Sequence, residues 1–194
     1  MIDPFAQFAA WYAEAQASEV NDPNACALAT VAIAPDGSPR ADVRIVLLKG
    51  QDSAGFTIFT NFESAKGRQL AALPHAALDF HWKSIRRQVR MAGPVQRIAE
   101  AESDAYFATR PRESQLSAWA SLQSQPLDAR SNFESRLAEM AARYPAHVPR
   151  PPHWGGFRLN PEWIEFWEDR PGRQHHRERF DRTTDGWTIR LLYP

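Results

Sequence analysis

Two alternating runs separated by four turn-forming residues constrain the fold more than any other feature of this chain. Residues 26–34 (CALATVAIA) alternate in β fashion, Pro35-Asp36-Gly37-Ser38 supplies a turn, and residues 41–48 (ADVRIVLL) alternate again. So short a link makes an antiparallel hairpin. In the second run Val43, Ile45 and Leu47 share one face, and Arg44, Val46 and Leu48 share the other. Further strands are predicted at 56–60, 76–82 and 87–98, then at 154–159, 163–168, 176–182 and 187–192, with a turn at Thr184-Asp185-Gly186. Gly93-Pro94 predicts a bulge or an edge. The sum is a mainly β, α+β chain. Its core is a small antiparallel barrel, closed or partly open, with helices packed around it.

The helices announce themselves by their ends. Asp3-Pro4 reads as an N-cap followed by a first-turn proline, with Phe5, Phe8, Ala9 and Tyr12 following at helical spacing. Asn61-Phe62-Glu63-Ser64 leads into a helix over 65–73 that Pro74 stops, and another is predicted over 129–144. Residues 145–152 form a stiff connector. Within YFATRPRESQLSAWASLQS (106–124), Tyr106, Arg110 and Ser114 fall four residues apart, the spacing of one helical face. Pro111 forbids one continuous helix. The expectation is a helix ending near Thr109, a corner at Arg110, and a new helix with Pro111 in its first turn. Ser114 then lies near a helix N-terminus, which favours an anion. Taken alone, this segment favours the plainer reading, a solvated helical hairpin whose Arg and Ser merely cap.

Lysine and arginine total 23, as do aspartate and glutamate, so no global field draws the chain to nucleic acid or to a membrane. Basic residues nonetheless cluster at 83–90 and 170–182. The basic strand at 86–90 has no stacking-aromatic signature, which argues against RNA. The lone Cys26 forms no intrachain disulfide and is expected buried and reduced. No run is long enough to span a bilayer and no leader opens the chain, so a cytoplasmic protein is expected. The six histidines lack zinc spacing, and GxSxG, GxGxxG and Walker patterns are absent. Two outlines of an anion site remain. Arg44 and Lys49 bracket an apolar strand, and Thr60, a helix start at Ser64 and Lys66 lie close in sequence. Snorkelling cations and ordinary capping are the plain alternatives. Trp163, Phe166 and Trp167 suit a core or an interface.

Seven segments together resemble one family. They are RIVLLK (44–49), FTN (59–61) with SAK (64–66), RRQV (86–89), YFATRPRESQLSAWAS (106–121), QS (123–124), WGGFRLNPEWIEFW (154–167) and RQHHR (173–177). Over about 24–194 the chain is similar to the pyridoxamine 5′-phosphate oxidase family of FMN enzymes. The resemblance implies an antiparallel Greek-key split barrel of the FMN-binding type. It implies one domain over 1–194, with a barrel core at 20–100, a helical region at 101–145, and a C-terminal dimerisation and active-site segment at 153–194. It implies a homodimer with FMN in the interface, and oxidation of pyridoxamine or pyridoxine 5′-phosphate to pyridoxal 5′-phosphate with O2 as acceptor and H2O2 as product.

Residue roles carry over on the same footing. Arg44, Ile45, Val46, Leu47, Leu48 and Lys49 would line the FMN, with Lys49 also reaching the substrate phosphate. Phe59, Thr60 and Lys66 would hold the ribityl phosphate side, and Gln88 would meet the flavin ring. Gln123 and Ser124 would arrive from the second subunit, and Trp167 and Arg177 would complete the pocket. Tyr106, Arg110 and Ser114 would bind the substrate's phosphate. Arg173 and His175 would lie over the pyridine ring as the catalytic pair. No metal is implied. The chain departs from the family at Ala65, where relatives often place an arginine, and at Glu168, Gln174 and His176. These departures keep two rivals open: a flavin oxidase of the phenazine-biosynthesis type, and a split-barrel module that binds flavin or haem without catalysis.

Overall fold

The computed structural model describes residues 3–194. The chain enters through helix α1 (Pro4–Ser18), with the Asp3 carboxylate accepting the Phe5 N–H at 2.9 Å and Pro4 at the first position. Phe8 is wholly buried and meets the rings of Phe56, Phe80 and Trp82 at 4.8, 5.1 and 5.7 Å. Burying that one side chain contributes on the order of 2–3 kcal/mol.

The strands are β1 (Ala25–Ile33), β2 (Pro39–Asp52), β3 (Gly55–Asn61), β4 (His75–Trp82), β5 (Arg87–Arg97), β6 (Trp154–Leu159), β7 (Trp163–Glu168), β8 (His176–Thr183) and β9 (Gly186–Leu191). They neighbour one another in the order β4-β1-β2-β3-β6-β5, and β5 returns to β4. A six-stranded antiparallel barrel therefore closes, and β7-β8-β9 extend from β5 as a sheet wing. Gly93-Pro94 marks the point where β5 changes partners. Residues 87–92 pair with β7, and residues 95–97 pair with β6. A Cβ on Gly93 would stand 2.2 Å from the Asn160 carbonyl oxygen, so only glycine fits this corner.

The other helices are α2 (Ala65–Ala72), α3 (Glu100–Ala108), α4 (Arg112–Ala120) and α5 (Arg130–Arg143). The Ser64 hydroxyl caps α2, accepting the Gly67 N–H at 3.2 Å and donating to the Asn61 carbonyl at 2.7 Å. The predicted break at Arg110 is present, with one correction. Pro111 is the N-cap of α4, with extended ψ of 142°, rather than a residue of its first turn. A second core of Phe107, Leu116, Val148 and Trp154 ties α3, α4 and the connector to β6.

Cys26 is buried, and burial pushes its thiol up to about 12, with the Asp79 charge adding to the effect. On β2, Val43 and Ile45 point outward, 65% and 67% exposed, while Leu48 is buried. The apolar trio of that strand is thus the one left uncovered. Among the described residues, no helix is long and apolar enough to cross a membrane, and no cluster of three His, Cys, Asp or Glu could hold a metal.

Candidate functional site

The sequence-predicted residues gather in two places. The first is a cleft of about 350 Å³ between β2, β3 and the α3–α4 corner. Ile45, Val46, Leu47, Lys49, Phe59, Thr60, Lys66, Tyr106, Arg110 and Gln123 line it, and no carboxylate does. Phe59 leaves β3 to stack on Tyr106 with ring centroids 4.0 Å apart, and on Trp154 at 5.3 Å. That aromatic wall carries Arg110, whose guanidinium lies 4.7 Å from the Trp154 ring. Its Nη1 is buried with no hydrogen-bond partner. Burial pulls the Arg110 guanidinium below its usual range, with Tyr106 opposing. A half-buried cation whose buried donor is unused suits an anion, because an unmade hydrogen bond there costs about 1–3 kcal/mol.

At the other side of the cleft, the Gln123 side-chain oxygen accepts from Lys66 Nζ at 3.2 Å and from the Thr60 hydroxyl at 3.3 Å. Burial pulls the Lys66 ammonium below its ordinary value, the nearby Arg44 charge pulls it further, and Asp42 opposes both. Like charges held together in this way are relieved by an anion. Gln123 thus lines the cleft of its own chain, where the expectation was a contact to the second subunit's flavin. The loop after α4 folds back on β3, where the Asn61 amide donates to the Ser121 carbonyl at 3.4 Å.

Arg44, Leu48, Ser114 and Ser124 do not line this cleft. Arg44 turns to Asp42, Thr30 and Gln69, donating to Gln69 at 3.0 Å. Leu48 packs into the core. Ser114 sits in the first turn of α4, while Ser117, one turn on, faces the cleft together with Ser121. Ser124 is exposed with a left-handed backbone, φ +70°. Sequence reading missed Asn61, Ser117, Ser121 and Trp154. The two serines carried a signal, since 117 and 121 continue the helical stripe of 110 and 114.

The second place is the outward face of the sheet wing. Strand register places His81, Gln88, Trp167 and Arg177 side by side in one row across β4, β5, β7 and β8. The next row holds Asp79, Arg90, Glu165 and Arg179. Glu165 is only 2% exposed. One of its oxygens accepts from Arg177 at 2.7 and 2.9 Å, and the other accepts from Arg90 at 2.7 Å. Burial would push that carboxyl up, but the hydrogen bonds from Arg90 and Arg177 outweigh it and hold it below its usual range. Beside the rows, Trp167, Asp169, Arg173 and His175 border a broad cavity of about 760 Å³. His175 stands over Trp167 with centroids 4.6 Å apart. Arg173 is exposed at the end of the 3₁₀ turn Pro171–Arg173, with φ +60°. No residue lines both cavities. Neither Glu165 nor Asp169 was foreseen as part of a site.

Comparison with known proteins follows this geometry. Residues 12–168 match the family described as "Pyridoxamine 5'-phosphate oxidase", and residues 154–194 match "Pyridoxine 5'-phosphate oxidase C-terminal dimerisation region". A protein of Sphingopyxis alaskensis named "Pyridoxine/pyridoxamine 5'-phosphate oxidase" is 58% identical over 99% of this chain and 88% of its own. One of the same name from Gluconobacter oxydans is 56% identical over 99% and 94%. Among solved structures, PhzG from Burkholderia lata 383, in complex with tetrahydrophenazine-1-carboxylic acid, superimposes with a TM-score of 0.91 at 31% identity, covering 99% of this chain and 93% of that one. With a match spanning barrel, cleft and wing alike, the chain belongs to the pyridoxamine 5′-phosphate oxidase family.

Proposed function

We propose that this chain is a homodimeric, FMN-dependent oxidase that converts pyridoxamine 5′-phosphate or pyridoxine 5′-phosphate to pyridoxal 5′-phosphate, with dioxygen as electron acceptor and hydrogen peroxide as product. The relatives' shared name supports the substrate class. The observation that carries the reading in this molecule is the unpartnered, buried Nη1 of Arg110 in a cleft with three cations and no carboxylate. Two dianionic phosphates, one on the cofactor and one on the substrate, are what such a cleft suits.

The residues present fit FMN. Lys66, Thr60 and Gln123, at the N-terminus of α2, would hold its phosphate, with Arg44 adding positive potential from the side. Ile45, Val46, Leu47 and Phe59 offer backbone and apolar surface for the rest of the molecule. The chemistry FMN would supply when bound is that of a hydride acceptor which dioxygen can reoxidise. The chain's own task is positioning. Arg110, with Tyr106 and Lys49 in the same lining, would clamp the substrate phosphate and so fix the carbon that is oxidised, with Ser114 adding to it from outside that lining in the first turn of α4.

Gln88, Trp167, Arg173, His175 and Arg177 lie on or beside the wing and none of them lines the cleft, so one chain would not make a whole site. The exposed apolar strip Val43, Ile45 and Leu47 runs into the cleft, which supports a second copy covering it there. The complete site would pair the cleft of one subunit with the wing of its partner, with FMN between them.

The test is a spectrum of the purified protein before and after anaerobic pyridoxamine 5′-phosphate. The flavin band should bleach and return with air. Bound flavin that ignores both phosphorylated vitamers would overturn the reading. Bleaching by tetrahydrophenazine-1-carboxylic acid alone would replace it with the phenazine-type one.

A further inference from the structure

His175 is the one wing histidine facing the 760 Å³ cavity, and its ring is held on two sides. Trp167 lies beneath it, 4.6 Å between centroids. Its Nδ1 stands 3.0 Å from one carboxylate oxygen of Asp169 and 3.3 Å from the backbone N of Arg170. Those two neighbours make opposite demands. The Arg170 N–H asks for a bare nitrogen, and the carboxylate asks for an N–H. The carboxylate contact is the shorter and is charge-assisted, and a bare nitrogen would set its lone pair against an anion.

Asp169 is itself fixed. Its second oxygen pairs with Arg86, and its backbone N–H donates to the Arg86 carbonyl at 3.1 Å. Arg86 holds a left-handed backbone, φ +54°, in the β4–β5 turn, a conformation kept where surrounding contacts over-determine it. Asp169 and His175 are 18% and 19% exposed, so bulk water does not dissolve the contact. Among the described residues the His175 Nε2 has no hydrogen-bond partner.

We infer that Asp169 is a positioning residue that locks His175 in the tautomer protonated at Nδ1, leaving Nε2 bare to accept a hydrogen bond from the substrate's amine or hydroxyl. Arg86 anchors Asp169, so the β4–β5 turn, the Asp169–Arg170 segment and the 3₁₀ turn act as one bracket for the imidazole. The substrate half of this inference rests on the oxidase reading above. The tautomer half rests on the geometry alone.

Two measurements separate the halves. Nitrogen-15 spectra of histidine-labelled protein, with the His175 signal assigned by its loss in His175→Gln, should show hydrogen on Nδ1. Asp169→Ala should abolish that preference. An Nε2–H tautomer in the wild type, or one unmoved by Asp169→Ala, overturns the inference without any assay of turnover. With pyridoxamine 5′-phosphate, the near-isosteric Asp169→Asn and Asp169→Ala should lower kcat roughly 10- to 100-fold, with KM and flavin content changed less than about threefold. Asp169→Glu should recover part of that loss. In a His175→Ala background Asp169→Ala should cost less than about twofold more, because the two act as a unit. Wild-type kcat in the Asp169 variants, or full additivity, would remove Asp169 from the site. A wild type that shows the Nδ1–H tautomer but turns over neither vitamer would sink the oxidase reading and leave the Asp169–His175 pairing standing.

Discussion

The cleft and the wing handle charge in opposite ways. In the cleft, Lys49, Lys66 and Arg110 converge with no acid among the lining residues, and one arginine donor is buried without a partner. On the wing and beside it, the arginines of both rows, together with Arg86 and Arg170, are answered. Arg90 and Arg177 share Glu165, Arg179 pairs with Asp181 at 2.8 Å, Arg86 pairs with Asp169, and Arg170 with Glu168 at 2.6 Å. A neutral chain thus keeps a local surplus of positive charge in one place by neutralising it in another. Such a surplus is costly until an anion arrives, which is what the proposed phosphate clamp requires. The paired region is a scaffold whose groups are oriented before anything binds.

The largest effect that could break this contrast is on the wing. Glu165→Gln removes the charge on which two arginines close, and breaking a buried pair costs about 3–5 kcal/mol. Arg90 and Arg177 are partly exposed, 43% and 24%, which places this case near 3 kcal/mol at most. Thermal midpoint should fall by roughly 6–12 °C. The wild type should also weaken in acid in a way the variant does not. Because the folded carboxyl is held below its ordinary value, its contribution is present above about pH 4.5 and is lost as pH falls through the lower folded value. Equal melting of the two proteins at pH 7 would show the pairing to be ornamental.

Next in size are paired cleft variants that should cost binding and not stability. Arg110→Ala should raise KM for pyridoxamine 5′-phosphate roughly 10- to 100-fold, the worth of a charge-assisted hydrogen bond, and leave flavin content nearly intact. Lys66→Met should do the reverse, weakening flavin retention about 10-fold or more with a smaller effect on KM. Neither should lower the midpoint of the flavin-free protein, since both cations are desolvated and Arg110 lacks full pairing. Steady-state kinetics and flavin fluorescence decide the matter. Flavin loss in Arg110→Ala would mean the two phosphates have been exchanged.

How far the sequence revealed these regions follows from the range of each signal. Strands announce themselves through period-two alternation, and every predicted strand is present within three residues except β2, which runs on to Asp52. Turn and cap residues placed Asp3, Ser64 and the break at Arg110 for the same local reason. The side on which a site residue ends up is a long-range matter. Gln123 joins Thr60 and Lys66 only because the loop after α4 folds back on β3. Glu165 and Asp169 gain meaning only from strand register and from the β4–β5 turn. Arg44 is instructive because it stands beside the cleft rather than in its lining. Asp42 lies two residues away on the same strand face, close enough to claim the guanidinium, and that spacing was visible in the sequence.

The smallest predicted effect tests the cleft by addition. Ala65 opens α2 beside Lys66, at a position where an arginine was the expectation from the family resemblance. In Ala65→Arg a new guanidinium near the proposed cofactor phosphate gains about 1.5–3 kcal/mol as a charge-assisted contact. Against this stands up to about 1.5–2 kcal/mol for ordering the side chain, while the cost of about 0.3–1 kcal/mol for a cation at a helix N-terminus is present with and without FMN and cancels from the affinity. With the contact near the upper end of its range about 1 kcal/mol survives, or roughly fivefold tighter FMN by fluorescence titration. The dipole cost remains when no anion is present, so the flavin-free variant should be less stable by about 0.3–1 kcal/mol. The two signs must appear together. A variant that gains stability without cofactor, or binds FMN no better, would move the proposed phosphate away from α2 and toward Arg110, and the division of labour within the cleft would have to be redrawn.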